Sequence, residues 1–163
     1  MAKDKNAIGD FGENCAIMRL MKFYIFRGYL IGGKAPVFDI LLEINDENKP
    51  YQALVQVKST DDSNPYLTNG NIKTPVPKKK LDLLIKRPLP TYVGGMDNNT
   101  ETLFIAPAYN PRTKYSSIPP TLKMDNSDLQ AYRSAIEKLR DDIINYWETF
   151  NMHTNKPIYN STL

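Results

Sequence analysis

Asp39, Gln56 and Lys58 form the constellation in this chain that best fits a chemistry. The stretch 37–44 is rich in aliphatic and β-branched residues and reads as a strand. Residues 51–59 read as its partner, joined to it through Asn45-Asp46-Glu47-Asn48-Lys49-Pro50. Side chains alternate along a strand, so Val37, Asp39, Leu41 and Glu43 share one face, and Gln56 and Lys58 share one face of the partner. Asp39 stands near the start of its strand and Gln56-Val57-Lys58 near the end of the next. An antiparallel hairpin sets those ends side by side, so Asp39, Gln56 and Lys58 converge at one rim of the sheet. A carboxylate and an ammonium on otherwise apolar strands cost free energy unless something engages them.

Phosphodiester hydrolysis would engage them. Mg²⁺ takes oxygen ligands, keeps several waters and binds through one or two carboxylates. Asp39 can supply the carboxylate, and the Gln56 side-chain carbonyl and the Val57 backbone carbonyl can supply neutral oxygens. Lys58 can orient or activate the attacking water, or offset transition-state charge. Glu13 is a further candidate: its helix stripe continues through Ile17 and Leu20, and a carboxylate on that stripe needs a partner such as the metal or its waters. The chain has one histidine, His153, and one cysteine, Cys15. Disulfide frameworks and zinc knuckles are excluded, and nucleophilic catalysis built on His is disfavoured. Carboxylates, amides and lysines must do any chemistry.

The elements that would position these residues follow from pattern. Residues 7–26 read as a largely buried helix with Ile8, Phe11, Cys15, Met18 and Met21 on its stripe, stopped by Gly28. A short strand at 29–31 ends at Gly32-Gly33. After Thr60 the segment 61–77 has no periodicity and is long for a plain connection, which marks it as functional or mobile. A short helix spans 78–86, with strands at 91–93 and 102–105 around the turn Met96-Asp97-Asn98-Asn99. Proline-rich coil leads to a long amphipathic helix with Ser127 and Gln130 as a capping box. Its stripe runs Leu129, Tyr132, Ile136, Leu139, Ile143, Tyr146, Phe150.

These motifs resemble the PD-(D/E)xK nuclease superfamily. Gly12-Glu13 on an opening helix, Asp39 near a strand start, and Val55-Gln56-Val57-Lys58-Ser59 on the next strand carry the likeness. It is closest to the Gln-x-Lys branch, as in Mrr-like restriction enzymes and DUF4365-type domains. Phe38 stands where the superfamily name has Pro, and Gln56 replaces the usual Glu, removing one negative charge from the metal site. Gln56→Glu is therefore expected to be tolerated and to tighten metal binding. The resemblance implies an αβββαβ core at about residues 7–107, with Glu13, Asp39, Gln56 and Val57 around Mg²⁺ or Mn²⁺ and Lys58 assisting the water. It implies an endonuclease acting on DNA in defence, restriction or DNA processing. The alternative is a catalytically silent module of the same fold that binds nucleic acid or a protein.

The expected fold is thus one mixed α/β domain, restriction-endonuclease-like, over all 163 residues, with a C-terminal helical extension at about 125–152. The net charge of +3 is mild, but Lys73, Lys78, Lys79, Lys80, Lys86 and Arg87 stand against Asp82 alone. Lys73, Lys78, Lys79 and Lys80 are the candidate phosphate contacts. No apolar run is long enough to cross a membrane and no secretory signal is visible, which points to a cytoplasmic protein. The long helical stripe, with the first helix already covering the sheet, points to a homodimer through the C-terminal helix.

Overall fold

The structure, a computed structural model, describes residues 3–31, 38–108, 115–151, 156–157, 161 and 163, with backbone alone at 150–151 and 156–157. Helix α1 (Lys5–Met21) is followed by β1 (Phe26–Leu30), β2 (Ile40–Ile44) and β3 (Gln52–Thr60). Then come α2 (Lys78–Ile85), β4 (Thr91–Asp97), β5 (Thr102–Pro107), β6 (Leu122–Met124) and α3 (Leu129–Glu148). A small ribbon of β7 (Phe150–Asn151) and β8 (Lys156–Pro157) closes the order. The six larger strands form one sheet in sequence order. All neighbours are antiparallel except β3 and β4, which are parallel. A parallel pair needs a crossover, and α2 is its helix. This is the expected mixed α/β arrangement, with one strand more in the main sheet than the sequence suggested and the β7–β8 ribbon besides.

Strand parity divides the core. Leu42, Val55, Tyr92 and Ile105 face a layer made by both α1 and α3. Val93, Phe104 and Ala106 face Leu81 and Leu84 of α2. The segment 61–77 completes this second face: Ile72 and Val76 are fully buried and bridge to Ile118 and Tyr115. Its aperiodicity therefore reflects irregular backbone used as core cover. No helix among the described residues is long and apolar enough to cross a membrane.

Several sequence expectations are corrected. Helix α1 ends at Met21, because Lys22 and Phe23 turn the chain and Tyr24 adopts φ 60°. Gly28 lies inside β1, where a Cβ would stand 2.7 Å from Ile17 Cγ1; it permits close helix–strand approach and stops nothing. The buried stripe of α1 is Gly12, Cys15, Ala16 and Leu20, while Phe11 and Met18 are exposed. Small residues win that face because the helix lies close against the sheet. The cap of α3 is Asp128, whose side chain accepts from Ala131 N–H, in place of Ser127.

The α3 stripe is covered by the chain's own sheet. Tyr132, Ile136, Leu139 and Ile143 are fully buried and Leu129 is exposed, while the Phe150 side chain lies outside the described residues. The stripe that suggested a homodimer is thus packed, from Tyr132 to Tyr146, in the chain's own core beside α1. Leu139→Glu with Ile143→Glu is expected to abolish the cooperative thermal transition, since each buried unpaired charge costs several kcal/mol. A folded double variant with unchanged Tm would contradict this packing.

Candidate active site

The site begins where the β2–β3 ladder runs out. Ile40 pairs with Val55, and one residue earlier the Asp39 N–H donates to the Val55 carbonyl at 3.0 Å. The strand β2 has not yet begun at Asp39, so its side chain is free to turn onto β3. Its Oδ2 accepts from Gln56 Nε2 at 3.0 Å and from the Val57 N–H at 2.7 Å. Alternation from the Ile40–Val55 pair puts Asp39, Gln56 and Lys58 on one face, as parity requires. The Gln56 and Lys58 positions face Val93 and Gly95 of β4. The backbone groups of Val57 point to the opposite edge, toward Asp39.

Glu13 arrives from α1. Gly12 is buried against Ser59, and a Cβ there would overlap the Ser59 side chain. Ser59 Oγ donates to the Ile8 carbonyl at 3.1 Å, and Asn98 Nδ2 donates to the same oxygen at 3.0 Å. These contacts pin the first half of α1 over the end of β3, so the half-buried Glu13 carboxyl meets that of Asp39. A cleft of about 440 Å³ opens there, lined by Glu13, Asp39, Gln56, Val57 and Lys58 together with Lys80 of α2.

Burial first, and like charges second, set the electrostatics of the cleft. Burial, then the Asp39 carboxylate, pushes the Glu13 carboxyl up to about 7. Burial, then the Lys80 ammonium, pushes Lys58 down to about 8. Glu13 therefore holds its proton more tightly folded than unfolded. Its contribution to stability is full below its ordinary value of 4.5 and is lost as pH rises to about 7. Glu13→Gln removes that loss. In EDTA the variant is expected to melt a few degrees above the parent at pH 8, with the gap closing by pH 4. A gap independent of pH would contradict the raised Glu13 carboxyl.

The donor set fits a hard divalent cation. Gln56 is only 5% exposed, and its Oε1 is buried with no hydrogen-bond partner. Nε2 is committed to Asp39, so the orphan is an acceptor oxygen, which water or a cation would satisfy. Two carboxylates that repel each other complete an all-oxygen set. No cluster of three or more His, Cys, Asp or Glu side chains suited to a metal occurs among the described residues. At a cation here, the Gln56 amide oxygen and the Val57 carbonyl would add neutral donors to the two carboxylates.

The lysines of the basic segment are differently placed. Lys80 lies in the cleft, whereas Lys78 pairs with Asp82 at 2.8 Å and Lys73 donates to the Asn64 carbonyl at 3.1 Å. Lys79 is exposed and lies outside the cleft lining. Sequence reasoning missed Lys5, which also lines the cleft. Its signal was helical: Lys5, Gly9 and Glu13 recur every four residues and share one face of α1. No family model, curated protein or solved structure matches this chain.

Proposed function

We propose that this chain is a metal-dependent endonuclease that hydrolyses phosphodiester bonds in DNA. The observation that carries the reading is the buried, unpartnered Gln56 Oε1 beside the Glu13 and Asp39 carboxyls, with Lys58 across the same cleft. Asp39, Glu13, the Gln56 Oε1 and the Val57 carbonyl would hold Mg²⁺ or Mn²⁺. When bound, that cation would neutralise the two carboxylates, polarise a phosphoryl oxygen and lower the pKa of water.

The chain's own residues do the rest. The Gln56 amide and the Val57 N–H fix one Asp39 oxygen, so the carboxylate presents its other oxygen in one orientation. Lys58, half-buried and shifted toward neutrality, can accept a proton from an attacking water near pH 8 or donate to a phosphoryl oxygen below it. Lys80 adds positive charge where a phosphate would sit.

Thermal unfolding in rising Mn²⁺ or Mg²⁺ tests the metal half of the reading. The wild type is expected to gain stability with ligand concentration, by about 2.7 kcal/mol at one hundred times Kd, and Asp39→Asn to lose most of that gain. A wild type indifferent to both cations, yet binding DNA in EDTA, would support the catalytically silent module instead.

A further inference from the structure

We infer that Lys58 and Lys80 form a phosphate-binding clamp in the cleft, with Lys80 the residue that seats a backbone phosphate of the nucleic acid. The inference deepens the nuclease reading and rests on it only for what the phosphate belongs to. The sheet brings the pair together from two directions. Lys58 lies beside Gly95 on the face of the sheet that α2 covers. Lys80 precedes Leu81, which is buried in that same layer, so the first turn of α2 hangs over the end of β3.

Both lysines are half-buried and both line the cleft. Neither makes an ion pair with a carboxylate among the described residues. Two ammonium groups that face each other, neither paired with a carboxylate, are mutually destabilising, and partial burial sharpens the repulsion. A phosphate between them removes that repulsion and satisfies donors on both side chains, since a lysine ammonium binds phosphate as a compact point charge. The other lysines of the segment are differently placed. Lys78 is held by Asp82 four residues on, and Lys73 by the Asn64 carbonyl. Glu13 and Asp39 oppose the cleft pair from its far side, and Asp61, which also lines the cleft, is paired with Lys3 at 2.8 Å. The cleft thus carries a cation-binding half and an anion-binding half, and a phosphate on Lys80 would lie between them.

The test is binding without metal. The full chain in EDTA is titrated with a labelled single-stranded DNA across a range of salt, and separately with inorganic phosphate while the lysine side-chain signals are followed by NMR. Lys80→Gln is expected to weaken DNA binding roughly tenfold and to flatten the slope of log K against log salt by about 0.7. Lys80→Arg is expected to retain most of the affinity. Lys86→Gln, an equal change of charge at the exposed far end of α2, is expected to change it less than twofold. Inorganic phosphate is expected to move the Lys58 and Lys80 signals together. Equal losses in Lys80→Gln and Lys86→Gln, or lysine signals in the cleft that phosphate leaves unmoved, would overturn the clamp. Cleavage is scored separately with Mg²⁺. Binding that depends on Lys80 with no cleavage of any nucleic acid removes the nuclease reading and leaves the clamp. Cleavage undiminished in Lys80→Gln does the reverse.

Discussion

Lys58→Ala is expected to lower metal-dependent cleavage by about 10²–10⁴-fold, the usual contribution of a positioned acid–base group, while the protein stays folded. Lys58 is half-buried, and burial and the neighbouring Lys80 ammonium disfavour its charge. Removing it relieves that repulsion, so stability is expected to hold or rise slightly. Asp39 is different. Its carboxylate satisfies two donors, the Gln56 amide and the Val57 N–H, and Asp39→Ala leaves both without a protein partner at about 1–3 kcal/mol each. Asp39→Asn keeps an acceptor oxygen and is the cleaner variant, expected to lose cleavage at least a hundredfold. Initial rates in Mg²⁺ beside Tm measurements separate chemistry from folding. Cleavage within a few-fold of wild type in folded Lys58→Ala would remove Lys58 from the mechanism.

Gln56→Glu has the second large effect, and its sign depends on metal. Counting charges along the sequence suggests a tolerated change that strengthens the metal site. The structure adds a cost, because the Gln56 Nε2 is the donor to Asp39 Oδ2. A glutamate would set a third carboxylate against Asp39 and Glu13 in a half-buried cleft. In EDTA near pH 8 the variant is expected to be less stable than the parent by about 1–3 kcal/mol. In millimolar Mn²⁺ the deficit is expected to shrink or invert, since the added charge favours cation binding. Denaturant unfolding with and without Mn²⁺ measures both. A deficit unchanged by Mn²⁺ would show that residue 56 faces no metal.

Much of this was legible because alternation along a strand is a rigid rule. The convergence of Asp39, Gln56 and Lys58 needed only the parity of β2 and β3 and an antiparallel turn between them, and the register bears it out. The placement of Glu13 was harder. Its helix stripe could be counted in two ways, and large apolar residues at Phe11 and Met18 favoured the wrong one. What decided the face was the closeness of α1 to the sheet, which admits Gly12 against Ser59 and excludes anything larger. That is a tertiary fact with no periodic signature.

What covers the α3 stripe was not legible for a similar reason. Its heptad-like spacing is real, yet spacing cannot say whether the stripe meets a second copy or the chain's own sheet. The sheet had room beside α1 on the same face. The strand β6, three residues long, is too short for alternation to reveal, and the cover supplied by Ile72 and Val76 comes from backbone with no period. Among the basic residues, composition grouped Lys78, Lys79 and Lys80 together. Only the direction of the first turn of α2 separates Lys80 from the others.

Metal-dependent phosphodiester hydrolysis at the Glu13–Asp39–Gln56–Lys58 cleft can be put to a single cleavage assay. Purified full-length chain is incubated with duplex, branched and single-stranded DNA and with RNA, in Mg²⁺, in Mn²⁺ and in excess EDTA, beside Lys58→Ala. The expected result is cleavage of at least one DNA substrate in Mg²⁺ or Mn²⁺, none in EDTA, and loss of about a hundredfold or more in the variant. Cleavage that persists in EDTA, or no cleavage of any substrate by a wild type whose melting temperature neither cation moves, would contradict it.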